Sequence, residues 1–221
     1  MFSVQFEVHP KQEQFDAYLG YAKLLKPELE EIDGFVDNVR YASLTRDGWL
    51  LSLSSWRDEK ALVRWRTQAH HHEVQAKGRL EVFLDYHLRV GQLTVDTRLP
   101  EGCELREQRF DPTEAGDGDT VVLIDAPRTE TVAPDAAPAQ LASWLGLGPD
   151  ARGLTFWDVY DAVLKPGDLI LQTAWQDEAA AQAFEAAVSL PGAGRLRRVR
   201  VVRDYGMYDR RETPQYYAEV R

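Results

Sequence analysis

The sequence predicts an α+β protein made of two tandem βαββαβ units, each an antiparallel sheet with its helices on one face. Two observations predict this fold: landmarks recur at a constant spacing, and the same order of strand-like and helix-like hydrophobic periods occurs twice. The recurring pairs, each separated by 119 positions, are Gly34 and Gly153, Tyr41 and Tyr160, Gly48 and Gly167, Trp56 and Trp175, Asp58 and Asp177, Trp65 and Phe184, Arg79 and Arg198, and Asp85 and Asp204. So many matches without a gap indicate an internal duplication.

The first copy begins with a strand and a helix. Residues 2–8 alternate apolar and polar side chains, which is the period of a strand with one buried face. Residues 15–32 then place apolar side chains three or four positions apart, which predicts an amphipathic helix. Pro27 is expected to bend this helix, and Asp33 and Gly34 to end it.

A hairpin, a second helix and a final strand complete the first copy. Residues 35–44 and 49–56 are predicted strands, joined by a tight turn that contains Gly48. Asp58 is a predicted N-cap for a helix that Gly78 ends, and residues 80–90 form the last strand. The inner face of that helix is predicted to carry Ala61, Trp65, Ala69, His72 and Ala76. Strand, helix, strand, strand, helix, strand is the ferredoxin-like order.

The second copy follows a stretch rich in proline, glycine and acidic residues. This stretch, residues 99–118, is the predicted linker between a first domain of residues 1–98 and a second domain of residues 119–221. The predicted elements of the second copy are the strand 120–124, a short helix 139–145, the hairpin strands 154–163 and 169–175, the helix 177–187 and the strand 198–205. Its polar and aromatic tail, residues 210–221, is expected to wrap the surface.

Composition limits the classes of partner. The chain has 221 residues and a net charge of −10, which argues against a nucleic-acid or anionic-membrane partner because either would need a basic patch. We expect no signal peptide, and no apolar run reaches the length of a membrane span. The single cysteine, Cys103, excludes a disulfide framework within the chain and favours a reducing compartment, so a cytoplasmic protein is expected.

The most unusual polar cluster is His70, His71, His72 and Glu73. Consecutive residues of a helix point in different directions, so no metal site is predicted there. An unbroken helix would place His72 on the same side as Trp65, two turns earlier, whereas a break near Thr67 would turn His71 inward instead. Both alternatives stay open at this point. No P-loop, G-x-S-x-G, H-E-x-x-H or paired-cysteine motif is present, so nucleotide, flavin or zinc chemistry has no sequence support.

Several segments of the first copy resemble the antibiotic biosynthesis monooxygenase domain family. They are PELEEIDGF, LSLSSWRDE, Trp65-Arg66, the histidine cluster, QAKGR and DYHLRV. The second copy, which ends in RDYGMYDRRETPQYY, resembles the family as well. The resemblance implies a dimeric α+β barrel in which two sheets pack face to face. In a duplicated chain the two halves are expected to form this pair internally as a pseudo-dimer, with a homodimer of two chains as the alternative.

The resemblance also implies an activity. The quinone-forming members of the family oxygenate phenolic intermediates with molecular oxygen and without flavin, haem or metal, and other members degrade haem. The tryptophan of the quinone-forming members matches Trp65 and their tyrosine falls at His71, but their asparagine falls at Ala61, which cannot make the same hydrogen bond. The ligand histidine of the haem-degrading members falls at Gln75. Haem degradation is therefore the weaker alternative.

These observations give a specific hypothesis for the site. His71, or His72 as the alternative, is the predicted base, and Trp65 is predicted to stack on a small aromatic substrate. Asn38, Arg79 and Tyr86 are the predicted substrate-binding residues. The expected reaction is a cofactor-independent oxidation of a phenolic or polycyclic aromatic substrate to a quinone. It needs a base, a fixed ring and a dry pocket.

Two simpler interpretations compete with catalysis. The tryptophans at matched positions are typical of core packing, and the barrel could bind a small molecule, or take part in a stress response, without turnover. The second copy carries Phe184 in place of Trp65, and Ser189, Leu190 and Pro191 where the first has its histidines. One functional pocket, in the first copy, is therefore predicted.

Overall fold

Eight strands close into one antiparallel barrel in the computed structural model, which describes residues 1–106, 109 and 120–209. The strands are β1 (Phe2–Pro10), β2 (Phe35–Ser43), β3 (Leu50–Trp56), β4 (Phe83–Asp96), β5 (Thr120–Pro127), β6 (Leu154–Ala162), β7 (Asp168–Trp175) and β8 (Arg195–Gly206). The helices are α1 (Phe15–Glu30), α2 (Glu59–Thr67), α3 (Ala69–Lys77), α4 (Pro138–Trp144) and α5 (Glu178–Ala187). A 3-10 turn spans Gln12–Gln14 and a π-helical turn spans Gly78–Val82.

The order of the strands shows how the two copies join. Around the barrel the order is β1-β3-β2-β6-β7-β5-β8-β4, so each half keeps the ferredoxin-like order and the halves meet at two seams. One seam pairs β2 with β6, with Tyr41 opposite Ala162, and the other pairs β4 with β8, with Leu88 opposite Tyr205. The predicted α+β barrel is confirmed, and it closes within one chain. Most of the predicted linker and the whole predicted tail, residues 210–221, lie outside the described residues.

The duplication extends to individual hydrogen bonds. The Trp56 indole donates to Ser54 Oγ at 2.9 Å, and the Trp175 indole donates to Thr173 Oγ1 at 2.9 Å. The Asp58 side chain caps α2 by accepting from the Ala61 amide at 2.8 Å. The Asp177 side chain caps α5 in the same way, by accepting from the Ala180 amide at 2.8 Å. Because equivalent residues make equivalent contacts, the repeat seen in the sequence is a repeat of structure.

Polar and apolar side chains fill the interior of the barrel. The apolar part draws on both halves: Met1, Tyr41, Leu51, Leu53, Leu93, Val121, Leu123, Tyr160, Ala162, Ile170, Ala174, Val199 and Val201. Beside it the Glu7 carboxylate accepts from Arg46 Nη2 at 2.6 Å and from Arg89 Nη1 at 2.5 Å. Asp158, from the other half, accepts from Arg46 Nε at 2.8 Å. The helices lie outside, against the other face of the sheet, and that is where space for a ligand occurs.

The predicted second helix is two helices. Helix α2 ends at Thr67, and Gln68 has an extended backbone (φ −64°, ψ 128°) before α3 begins. The Gln68 side-chain oxygen accepts from the His71 amide at 2.6 Å and so caps α3. The prediction of one continuous inner face through Ala69 and His72 was therefore wrong. Gly78 starts the π-helical turn, and the last strand begins at Phe83 instead of residue 80.

Gly91 allows the close approach of β4 to β8 at one seam. A Cβ there would lie 2.3 Å from Val199 Cγ1 and 2.7 Å from the Arg200 carbonyl oxygen. We expect Gly91→Ala to lower the free energy of unfolding by about 1–3 kcal/mol, the usual cost of overpacking. Gly20→Ala is the control, since a Cβ at Gly20 on α1 meets nothing within 4 Å and alanine favours helix by about 0.8–1 kcal/mol. Urea unfolding followed by circular dichroism measures both, and equal midpoints for the two variants would contradict the tight seam.

Candidate active site

A cavity of about 410 Å³ lies between the sheet of the first half and helices α1, α2 and α3. Strands β1 to β4 provide most of its floor, with Arg203 and Tyr205 of β8, and the three helices provide its walls. All six side chains singled out from the sequence line it: Asn38, Trp65, His71, His72, Arg79 and Tyr86. The volume falls within the range of about 300–1,000 Å³ that is common for small-molecule sites.

His71 stacks on Trp65 in the wall of the cavity. The two rings are 4.1 Å apart between centroids and inclined by 16°. The break at Gln68 produces this arrangement, because it turns the start of α3 back over the end of α2. His72 also lines the cavity, one position along α3. The structure thus brings both histidines to the site, and it places the ring of His71 against the indole of Trp65.

The hydrogen bond of His71 defines its tautomer. Nδ1 lies 2.9 Å from the carbonyl oxygen of Trp65. A carbonyl oxygen only accepts, so Nδ1 carries the proton and Nε2 keeps a lone pair. Burial lowers the pKa of His71 from 6.5 to about 4, and the backbone hydrogen bond opposes only part of this shift. The ring is therefore neutral at physiological pH, and Nε2 can accept a proton or a hydrogen bond.

The depressed pKa of His71 makes the stability of the protein depend on pH. The unfolded chain binds a proton on this ring below its ordinary pKa of 6.5, whereas the folded chain does so only near pH 4. The free energy of unfolding should fall by roughly 3 kcal/mol as pH decreases through this window. His71→Phe keeps a ring on Trp65 but removes the proton site. Its unfolding free energy, measured in urea from pH 7 to pH 4, should fall less steeply than that of the unmodified protein, and parallel curves would contradict the shift.

Glu28, which was not predicted from the sequence, anchors the segment that carries the histidines. Its carboxylate on α1 accepts from Gln68 Nε2 at 2.5 Å and lies 2.6 Å from His70 Nδ1. The hydrogen bond with His70 lowers the pKa of Glu28. The contact joins residues about forty positions apart, so no local pattern could have revealed it. It ties the break between α2 and α3 to α1 and thereby fixes the position of His71.

The floor of the cavity is polar on β2 and β3. Asn38 Nδ2 donates to Ser52 Oγ at 3.1 Å. Arg40, the next residue on the same face of β2, also lines the cavity, as does Tyr18 on α1. Burial raises the pKa of Tyr18, and the nearby charge of Arg40 opposes part of this shift. Neither Arg40 nor Tyr18 was predicted from the sequence, although the two copies differ at this point: the position 119 residues after Arg40 is Val159.

Tyr86 and Arg79 lie at the end of the cavity formed by the π-helical turn and β4. The Tyr86 ring is 5.6 Å from the ring of Phe6 and 6.3 Å from that of Phe83. Arg79 reaches the cavity from the turn itself. Tyr86 is therefore part of an aromatic wall, and its position is compatible with the predicted contact to a ligand.

The equivalent region of the second half is packed with side chains. Phe184 stacks on Trp175, with ring centroids 4.8 Å apart. Val159 and Leu171, which match Arg40 and Ser52, are fully buried in an apolar cluster with both rings. Throughout residues 1–106, 109 and 120–209, no group of three or more His, Cys, Asp or Glu side chains is arranged to hold a metal ion. No helix of the same residues is long and apolar enough to cross a membrane.

The chain is similar to several known proteins. The sequence model of the family described as antibiotic biosynthesis monooxygenase matches residues 1–77. A protein of Pyricularia oryzae named Jasmonate monooxygenase ABM is 51% identical over 223 residues, which is 98% of each chain. Among solved structures, a candidate monooxygenase from Lactobacillus acidophilus NCFM is 9% identical, with a TM-score of 0.40 over 92% of this chain and 94% of that one. An anthrone oxidase-like protein is 15% identical, with a TM-score of 0.31 over 94% of each chain.

Proposed function

Because the chain belongs to the antibiotic biosynthesis monooxygenase family, we propose that it is a monooxygenase that oxygenates a small, largely apolar molecule in the cavity of its first half. The observation that carries this proposal is the stacked pair of Trp65 and His71 in the cavity wall. The indole offers a flat apolar surface, and the neutral imidazole offers Nε2 as an acceptor beside it. The second half supplies the partner sheet that closes the barrel.

A jasmonate-type acid is the substrate class that we favour. The relative named Jasmonate monooxygenase ABM shares half of its residues with this chain along nearly the whole length of both. Jasmonic acid is a cyclopentanone that bears a carboxymethyl group and an unsaturated side chain, so it needs an apolar cavity with cationic or polar groups. Its conversion to an alcohol uses one oxygen molecule, two electrons and two protons, and releases water. An external two-electron donor must therefore take part in this reaction.

A phenolic or polycyclic substrate is the second candidate, and the Trp65–His71 pair favours it. With an anthrone-type substrate the reaction balances without a reductant. The methylene carbon loses two hydrogen atoms and gains one oxygen atom, and the second oxygen atom leaves as water. Nε2 of His71 would accept the proton whose loss makes the ring electron-rich, and Trp65 would hold the ring in place. No flavin, haem or metal is required for this reaction.

Product analysis under labelled oxygen tests the proposal. The purified protein is incubated under ¹⁸O₂ with jasmonic acid, with and without NADPH, and separately with anthrone- and naphthol-type quinols. We expect oxygen uptake with one class and a product that contains one ¹⁸O atom. Absence of turnover with every compound, together with retained binding, would favour a non-catalytic binding protein. A Soret band on titration with haem would instead support the haem-binding alternative.

A further inference from the structure

The charge of the cavity is opposite to that of the whole chain. The net charge of the protein is −10. The charged side chains that line the cavity are nevertheless all cationic: Lys26, Arg40, Arg66, Arg79 and Arg203. Within the described part of the chain, no aspartate or glutamate lines it. Cations enclosed by apolar walls attract anions more strongly than the same cations would in water, because the local dielectric constant is low.

Arg40 differs from Arg203 and Lys26, two cavity cations that lie close to a carboxylate. Arg203 lies 2.8 Å from the buried carboxylate of Glu59, and Lys26 is an exposed residue with Glu30 at 3.6 Å. Arg40 is partly buried, and no carboxylate of the described residues forms an ion pair with it. Its buried Nε has no hydrogen-bond partner there either. A partly buried cation without a counter-ion has lost some of its hydration, and binding an anion would offset that cost.

Tyr18 places a second donor beside Arg40. Its hydroxyl lies close enough to the guanidinium group for the positive charge to oppose part of the pKa shift of Tyr18, and it has a proton that it can donate to a ligand. Burial raises the pKa of Tyr18, so the hydroxyl stays protonated at neutral pH. A guanidinium group and a phenol at one end of an apolar cavity together match the two oxygens of a carboxylate.

The second half shows that the barrel does not need an arginine at this position. Arg40 pairs with Ser52 across the hairpin of the first half, and Val159 pairs with Leu171 at the equivalent register of the second. Both aliphatic residues are fully buried there. The same backbone therefore accepts an apolar pair at this register. Folding does not require the positive charge of Arg40, so the charge is available for binding.

We propose that Arg40 and Tyr18 bind the carboxylate of the substrate, and that the cavity selects carboxylic acids over neutral compounds of the same shape. This inference rests on the proposed function in that it concerns the same cavity. Arg40 on β2 lies opposite Ser52 on β3. Ser52 is four residues before Trp56 on that strand, so the two are about 13 Å apart at the usual rise per residue. Trp56 belongs to the same apolar cluster as Trp65. The bound acid thus extends from Arg40 toward the Trp65–His71 pair.

Arg40 and Tyr18 form the proposed carboxylate anchor. Matched pairs of an acid and its methyl ester test this anchor. Dissociation constants are measured by calorimetry for jasmonic acid and 1-naphthylacetic acid, each beside its methyl ester. We expect the unmodified protein to bind at least one acid about 10- to 100-fold more tightly than its ester, as a charge-assisted hydrogen bond predicts. Arg40→Gln should remove this preference, and Arg40→Lys should keep part of it. Lys23→Gln removes the same charge from an exposed position outside the cavity and should change nothing.

The outcomes separate the anchor from the proposed reaction. Equal binding of acid and ester, no binding of either acid, or an unchanged preference in Arg40→Gln would overturn the anchor. Turnover by the unmodified protein would still support a monooxygenase in each of these cases. Acid-selective binding that depends on Arg40, without turnover, would support the anchor and reject the monooxygenase. If Arg40→Gln is less stable to heat than the unmodified protein, the measurement is repeated with Arg40→Val, since valine is the residue at the equivalent position of β6.

Discussion

His71→Ala is expected to reduce oxygenation by about 10²- to 10⁴-fold, the usual contribution of a positioned acid–base group. The ring of His71 is held by two contacts, the stack on Trp65 and the Nδ1 hydrogen bond to the Trp65 carbonyl oxygen. The stack holds the ring in place, and the hydrogen bond at Nδ1 leaves Nε2 as the nitrogen that can accept a proton. Steady-state oxygen uptake should show the loss in kcat, whereas the dissociation constant of the substrate should change little.

Three further variants make this result specific. His71→Phe keeps an aromatic ring on Trp65 but has no nitrogen, so it should lose as much activity as His71→Ala. His70→Ala removes a neighbouring histidine that lies outside the cavity and leaves the hydrogen bond between Gln68 and Glu28, so it should lose far less activity than His71→Ala. His72→Ala tests the alternative base of the sequence analysis. A larger loss of kcat in His72→Ala than in His71→Ala would reassign the base to His72.

Glu59→Ala is expected to lower the free energy of unfolding by about 3–5 kcal/mol, the range measured when one partner of a buried ion pair is removed. Glu59 is fully buried at the start of α2, in the first half, and its carboxylate lies 2.8 Å from Arg203 on β8, in the second half. Arg203 is itself only 2% exposed. Loss of the carboxylate would leave a buried guanidinium without this counter-charge.

The second copy provides a matched control. Glu178 occupies the same position at the start of α5, so both glutamates interact equally with the dipole of their helix. The side chain of Glu178 is 56% exposed and lies 3.4 Å from Arg198. Glu178→Ala should therefore change the free energy of unfolding by less than about 1 kcal/mol. Urea denaturation of both variants at neutral pH gives the comparison, and losses of similar size would show that the buried pair adds no more stability than the exposed one.

The contrast between the halves explains how a duplicated barrel can have one site. Both halves keep the contacts that build the sheet, such as the Trp56 and Trp175 indole bonds to strand hydroxyls. On the helix side they differ, because the second half fills the space with Phe184 and aliphatic residues. The first half leaves that space open and adds polar groups to its mostly apolar lining. Duplication thus allows one half to provide the partner surface while the other keeps a cavity.

Much of the fold was predictable from local patterns. The alternation in β1, the helical period of α1 and the glycines of the turns are properties of neighbouring residues, and the sequence contains them directly. The second helix was mispredicted for a physical reason. Its break at Gln68 uses neither glycine nor proline, and it is stabilised by a cap on His71 and by Glu28 from another helix. A contact between distant segments leaves no periodic signal.

The sequence by itself determined the two copies, their element order, the family and the presence of Trp65 and histidines near one pocket. Only the tertiary structure decided which histidine stacks on Trp65, that the barrel closes within one chain, and that Arg40 and Tyr18 share an end of the cavity. The physical reason is the range of the interactions. Hydrophobic period and turn chemistry act between neighbours along the chain, whereas the position of a side chain in a cavity depends on residues that folding brings together from far apart.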